Sequence, residues 1–430
     1  MNFLSTRNRD LGANLSQAIA QGIAPDGGLY VPEQLPVLPS AEFPEPDSLD
    51  AVATHLLRQF AAGDSLEAHL ASICREALDF PAPLVPLDGA RGPASVLQLF
   101  HGPTCAFKDF GARFLASTLE RVHRGCDRTL TILVATSGDT GAAVAAAFHQ
   151  RHWVNVILLY PKGLVSPRQA HQLACWGGNV RTFAVLGTFD DCQRIVKEAF
   201  RDPSLMRSYT LSSANSINVG RLLPQMAYYA YASLRIWRTE GRKPNFIIPS
   251  GNLGNAAACI WVREMGLPVG DIVLSTNENR TIADYVAGGT WQPRPSVATL
   301  ASAMDVGNPS NMERLRWLFP NGELRQRVTA YSVSDDEIRS VIRSDVETVG
   351  QIWCPHTATA ACVYWQVVRS RPREHWVLVA TAHPAKFNDI VEPLIGREIP
   401  VPPALDRLLR LPRQEEDLSP TLEDLRARLR

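Results

Sequence analysis

The 430-residue chain has no net charge: 43 Lys and Arg stand against 43 Asp and Glu. Such a balance provides no field to gather nucleic acid or an anionic membrane, and it suits an enzyme acting on a small molecule. Nor is there an apolar stretch near the roughly 20 residues that cross a bilayer. The opening MNFLSTRNRDLGANLSQA lacks the apolar core of a secretory leader, so a cytoplasmic protein is expected. The eight cysteines include no C-x-x-C and no His/Cys spacing suited to zinc. Reduced thiols and no bound metal are the expectation. No repeat of solenoid length is present.

A chain this long exceeds one typical core, so two or three domains are expected. Residues 1–80 read as an α-rich N-terminal unit, with helices over 14–21, 49–61 and 65–77. Proline-rich residues 35–46 read as a connector. From residue 81 to 395 the pattern alternates, with strands expected over 130–135, 154–160, 180–185, 246–249, 272–276 and 376–380. Helical stretches between them, one over 222–237, predict an α/β fold of parallel sheets whose ligands sit at the carboxyl ends of strands. A smaller subdomain over about 130–235 is expected within this unit. Residues 396–430 form a C-terminal tail with a last helix over 422–429.

Three segments share the order strand, small-residue turn, helix. In the first, the run 95–100 turns through His101-Gly102-Pro103-Thr104-Cys105-Ala106-Phe107-Lys108-Asp109 into a helix-like stretch from 113 to 123. A helix N-terminus disfavours a further positive charge and the flanking phenylalanines withhold water, so the Lys108 amine should be neutral more often than usual, and nucleophilic. A solvated first-turn lysine is the plainer alternative. The other two turns are Thr136-Ser137-Gly138-Asp139-Thr140-Gly141 and Ser250-Gly251-Asn252-Leu253-Gly254-Asn255. Their glycines permit close backbone approach, and the unpaired N–H groups of the following helix suit an anion. Neither matches the P-loop or dinucleotide fingerprint, and each is also consistent with an ordinary βα turn. Two anion loops and an activated lysine describe a site for pyridoxal phosphate and an amino acid.

The segments HGPTCAFKDFGARF, ATSGDTGAAVA, SSANSINVGRLLPQ, PSGNLGN and TAHPAKF, in this order between residues 27 and 396, resemble the threonine synthases of the bacterial and fungal type. These are fold type II pyridoxal-phosphate enzymes, similar to the tryptophan synthase β chain. The resemblance implies two parallel-sheet subdomains plus the N-terminal α-rich domain, and the conversion of O-phospho-L-homoserine and water to L-threonine and phosphate. It implies that Lys108 carries the cofactor, that Gly251, Asn252, Leu253, Gly254 and Asn255 hold its phosphate, and that Thr381 faces its ring nitrogen. Leu253 stands where the family often has phenylalanine. Asp139 matches the position beside the ring hydroxyl, where related enzymes favour asparagine; an N-cap role for it remains open. Thr136, Ser137 and Thr140 match the loop for the amino-acid carboxylate.

For the substrate phosphate the resemblance points to Asn215, Ser216 and Arg221, with Lys162 and Arg168 as lesser candidates. A guanidinium fork suits a dianion, though Arg221 also reads as a surface arginine. Cys105, His356 and His383 lie in or near these motifs and read more simply as packing residues. The sequence is silent on whether the protein is a monomer or a homodimer.

Overall fold

Strands form where the apolar runs lie, almost residue for residue. In the computed structural model, which describes all residues except 44, 46, 47, 127 and 430, the chain opens with an antiparallel sheet. Its strands are β1 (Phe3–Ser5), β2 (Gly12–Ala13) and β3 (Tyr30–Pro32), in the order β2-β1-β3. Helix Leu15–Gln21 begins with a capping box: Asn14 accepts from the Gln17 N–H while Gln17 accepts from the Asn14 N–H. Helix Leu49–Ala61 follows, then Leu70–Ala77, which starts later than residue 65 because Glu67–His69 forms a 3-10 turn first. The connector over 35–46 falls partly outside the described residues; within it Leu38 is buried and its N–H donates to Met265 O.

The remaining strands are β4 (Leu84–Pro86), β5 (Ala94–Gln98), β6 (Leu130–Ala135), β7 (Val154–Pro161), β8 (Val180–Val185), β9 (Thr210–Ser212), β10 (Asn245–Pro249), β11 (Ile272–Thr276), β12 (Val328–Ser332), β13 (Trp376–Ala380) and β14 (Glu416–Leu418). They make two sheets. The larger runs β12-β11-β10-β13-β5-β4 and is parallel except for β4. The smaller runs β14-β8-β7-β6-β9 and is parallel throughout. Phe246 and Ile248 of β10 pack into one core and Ile247 into another. Burial on both faces is why such strands read as continuous apolar runs instead of alternating ones.

Three further elements differ from the sequence expectation. Helix Lys108–His123 starts five residues earlier than residue 113. The helix expected over 222–237 is two helices, Val219–Leu222 and Gln225–Glu240, because Pro224 between them has no N–H for the helical ladder. The tail contributes β14, which pairs in parallel with the edge of β8, Leu418 opposite Val185. Leu418 and Leu425 are fully buried in the core formed by Phe183, Val185 and Ile195. Glu416-Asp417-Leu418 has little strand propensity of its own, so the free edge of β8 and the burial of Leu418 decide its conformation.

Candidate active site

The carboxyl ends of β5, β10 and β13 in one sheet, and of β6 and β9 in the other, lead to a single cleft of about 670 Å3. The cleft opens to solvent in the place where open α/β sheets bind ligands. Lys108 reaches it from the first turn of its helix. The turn before it is closed by the Asp109 carboxylate, which accepts from the Thr104 N–H at 2.9 Å and the Thr104 hydroxyl at 2.6 Å. The neighbouring end of β13 holds it as well: Phe107 N–H donates to Thr381 O at 2.8 Å, and His383 N–H donates to Cys105 O at 3.0 Å. The Lys108 amine has no hydrogen-bond partner among the described residues and lies 4.6 Å from the centre of the Phe107 ring. Burial, reinforced by the charge of Arg221 and opposed by that of Asp139, lowers it to about 8.

Across the cleft, the loop after β10 enters helix Gly254–Glu264 through Leu253, whose backbone is left-handed at φ 61°. A β-carbon on Gly251 would lie 2.7 Å from Met304 Cα, so only glycine lets this loop pass. The hydroxyls of Tyr228 and Tyr229 donate to Asn255 Oδ1 at 2.6 and 2.8 Å, leaving the buried Asn255 Nδ2 with no partner. A buried donor without an acceptor, beside the open N–H groups of a helix start, is suited to an anion.

Arg221 supplies a second such place. It is 2% exposed, and its guanidinium donates to Ala214 O at 2.5 Å and Lys108 O at 3.4 Å. Its Nε is buried and unpaired, and no carboxylate lies within salt-bridge distance among the described residues. Gly111 makes room for it: a β-carbon there would meet Arg221 O at 2.7 Å and Nε at 2.8 Å. Ser216 joins the two anion places, since its hydroxyl oxygen accepts from Asn252 Nδ2 and keeps its own proton free. Behind both, Asn311 donates to Asn252 O at 3.0 Å, while the buried guanidinium of Arg314 donates to Ser216 O, Ile217 O and Tyr30 O. These two residues brace the loops without lining the cleft, and nothing in their local sequence signals it.

The cleft is lined by Lys108, Asp139, Ser216, Arg221, Thr381 and the whole of Gly251–Asn255. Asn215, Thr136, Ser137 and Thr140 are not on its wall. The Thr136 hydroxyl is engaged by its own loop, accepting from the N–H groups of Gly138 and Gly141 at 3.1 and 2.9 Å. Asp139 is not an N-cap: Gly138 holds that position, and the carboxylate pairs with Lys386 at 2.7 Å and accepts from Gln169 Nε2 at 2.8 Å. Lys162 pairs with Asp417, and Arg168 donates to Ala385 O; neither lines the cleft. The Thr381 hydroxyl faces it with no protein partner among the described residues.

Cys105 is buried, its thiol pushed up to about 11 by that burial. His383 caps a short 3-10 turn, its Nδ1 accepting from the Ala385 N–H. His356 does line the cleft. Its Nε2 accepts from the Ala303 N–H at 3.0 Å, so Nδ1 carries the proton and has no partner, and burial lowers the ring to about 4, keeping it neutral.

Residues 78–382 match the family described as pyridoxal-phosphate dependent enzyme, residues 2–78 match the threonine synthase N terminus, and residues 357–428 match the threonine synthase C-terminal family. A threonine synthase of Haemophilus influenzae is 39% identical, over 100% of this chain and 99% of that protein. The chain belongs to the threonine synthase family. Within that family, the crystal structure of the threonine synthase from Escherichia coli has a TM-score of 0.88 at 35% identity, covering 100% of this chain and 99% of the other. The structure titled as pyridoxal-phosphate-bound threonine synthase from Brucella melitensis has a TM-score of 0.89 at 32% identity, covering 100% and 98%. The family's cofactor fits what this cleft offers: an amine without a partner, a glycine loop at a helix start, and the orphaned Asn255 amide. The chain is thus a fold type II pyridoxal-phosphate enzyme with parallel sheets and an N-terminal domain. No described helix is long and apolar enough to cross a membrane, and no group of metal-ligating side chains occurs among the described residues.

Proposed function

We propose that this chain forms L-threonine and phosphate from O-phospho-L-homoserine and water, the last step of threonine biosynthesis. Arg221 carries the reading. A buried cation with an unpaired donor, and no carboxylate within salt-bridge distance among the described residues, shares one cleft with Lys108 and the 251–255 loop. The cofactor needs one anion place, and a substrate bearing its own phosphate needs a second.

Pyridoxal phosphate, when bound, supplies the electron sink that makes the Cα and Cβ protons of an attached amino acid acidic. Gly251–Asn255 would hold its phosphate, Thr381 would face the ring nitrogen as a neutral partner, and Lys108 would carry it covalently until substrate displaces the amine. With its amine lowered to about 8, Lys108 exchanges protons readily near neutral pH, taking them from Cα and Cβ and delivering one to Cγ. Arg221 and Ser216 would bind the phosphate on Cγ and stabilise it as it leaves. Of the 136–140 loop, expected from the resemblance to receive the amino-acid carboxylate, only Asp139 lines the cleft. Water then adds at Cβ. All eight cysteines are free thiols, which supports a cytoplasmic location.

Turnover of O-phosphohomoserine in heavy-oxygen water should place one labelled oxygen in the threonine hydroxyl, and turnover in deuterated water should place deuterium in the methyl group. Release of phosphate with 2-oxobutyrate as the main carbon product would replace this reading by that of an eliminating lyase. Far faster consumption of phosphoserine or phosphothreonine would show the substrate to be wrong.

A further inference from the structure

The cleft wall contains a charge pair that the proposed reaction does not use. Lys386 is 0% exposed; its ammonium lies 2.7 Å from Asp139 Oδ1 and donates to Thr104 O at 2.8 Å. Gln169 Nε2 donates to the same Oδ1 at 2.8 Å. Both contacts thus fall on one carboxylate oxygen. Oδ2 has no protein partner among the described residues, in a side chain that lines the cleft beside Lys108.

A carboxyl this deeply buried would, alone, take up a proton instead of holding a poorly solvated charge. Here burial, the largest single influence, opposes ionisation, but Lys386 leads a set of groups, with His356 and Gln169, that together hold the Asp139 carboxyl below the usual carboxylate range. The other titratable groups facing the pair are Lys108 and neutral His356 on the cleft side, Asp109 near Lys386, and the buried thiols of Cys105 and Cys354, with Arg221 beyond Lys108. Lys386 is the only cation in contact with the Asp139 carboxylate among the described residues.

We propose that Lys386 is a positioning residue that fixes Asp139 as a carboxylate, its free Oδ2 turned to the cofactor, so that Asp139 accepts a hydrogen bond there and does not donate one. The chemistry follows from the sign of the charge. An asparagine or a protonated aspartate at this place offers a donor to the ring hydroxyl; a carboxylate offers none and stabilises positive charge on the nitrogen joining Lys108 to the cofactor. The inference rests on pyridoxal phosphate being bound at Lys108.

The test is a pH titration of the visible absorption of the cofactor-loaded protein, compared with D139N, K386Q and the double variant. Asparagine has the shape of a protonated aspartate. If Asp139 is ionised, D139N removes a nearby negative charge and the titration midpoint should fall by about one unit or more. An unchanged or raised midpoint would mean that Asp139 was already neutral, and would overturn the proposal. K386Q should lower the midpoint as D139N does, because Asp139 then takes up a proton, and the double variant should show no further fall. A rise in K386Q would show that the carboxylate persists without Lys386, which overturns the positioning role, as would no change. Should K386Q fail to fold, D139N alone decides the charge of Asp139. Absence of the visible band from the parent protein would instead refute the cofactor site itself.

Discussion

Replacing Arg221 by methionine should leave the ligand-free fold as stable as before, or more so, while crippling turnover. Arg221 is 2% exposed and burial, opposed by the more distant charge of Asp109, lowers its guanidinium to about 10, so it remains charged at pH 7 with no carboxylate in salt-bridge contact among the described residues. Holding an ion so weakly compensated in such a place costs several kcal/mol. Against that stand two hydrogen bonds to backbone oxygens, at 2.5 and 3.4 Å, of which the longer contributes little. A charged donor's bond is worth about 1.5–3 kcal/mol, so the two sides nearly cancel, and methionine fills much of the vacated space. With substrate the balance changes. Loss of a charge-assisted contact to a dianion of about 1.5–3 kcal/mol corresponds to a roughly tenfold to 150-fold drop in kcat/KM. Urea unfolding of the ligand-free protein and continuous measurement of released phosphate would read the two quantities separately, with the visible band reporting that the cofactor stays bound. A loss of stability above about 2 kcal/mol with unaltered kcat/KM would refute the reasoning, making Arg221 a structural strut.

Cofactor capture by the cofactor-free protein should accelerate as pH rises through about 8, the value to which burial lowers Lys108, because only a neutral amine attacks a carbonyl. A stopped-flow midpoint above 10 would contradict this. Gly111→Ala should destabilise the protein by about 1–3 kcal/mol in urea, since its new methyl group would press on Arg221 O at 2.7 Å; an unchanged midpoint would show that the helix can slide away. Ending the chain at residue 411 removes β14 and the buried Leu418 and Leu425, each worth about 1.5–3 kcal/mol. The shortened protein should unfold at lower urea and aggregate with concentration in light scattering, and parental behaviour in both would show that the tail is dispensable.

Most strands of the two sheets were legible because burial on both faces writes itself into the sequence as uninterrupted runs such as Leu130–Ala135 and Trp376–Ala380. Helix ends were less so. The Lys108 helix begins within Lys108-Asp109-Phe110-Gly111, where glycine argues against a helix and is kept because Arg221 packs against it. β14 was hidden for the opposite reason: its conformation belongs to the edge of β8, not to its own three residues. In the cleft, the pattern of strand, small-residue turn and helix marked Lys108 and the 251–255 loop, and the family resemblance added Asp139, Ser216, Arg221 and Thr381. Neither disclosed that the Thr136 hydroxyl serves its own loop, or that Lys386, two residues past Pro384, reaches Asp139. The Lys386–Asp139 contact joins segments more than two hundred residues apart, and local pattern holds no record of it; the Thr136 contact is local, but a threonine in a turn suits a ligand and its own loop equally.

The place of β13 in the larger sheet has a consequence for the order in which the chain is made. β13 lies between β10 and β5, hydrogen-bonded to both, yet it leaves the ribosome about 280 residues after β5. At about 5–20 residues per second the inner edge of β5 stands open for roughly 14–56 s, with the edge of β10 joining it later. Two edges that will flank one strand, each a row of unpaired N–H and C=O groups, are in that interval free to pair with any other extended segment. Cells making this protein must therefore shield a half-built sheet, and Thr381, next after β13, completes the cofactor cleft only when nearly the whole chain has emerged.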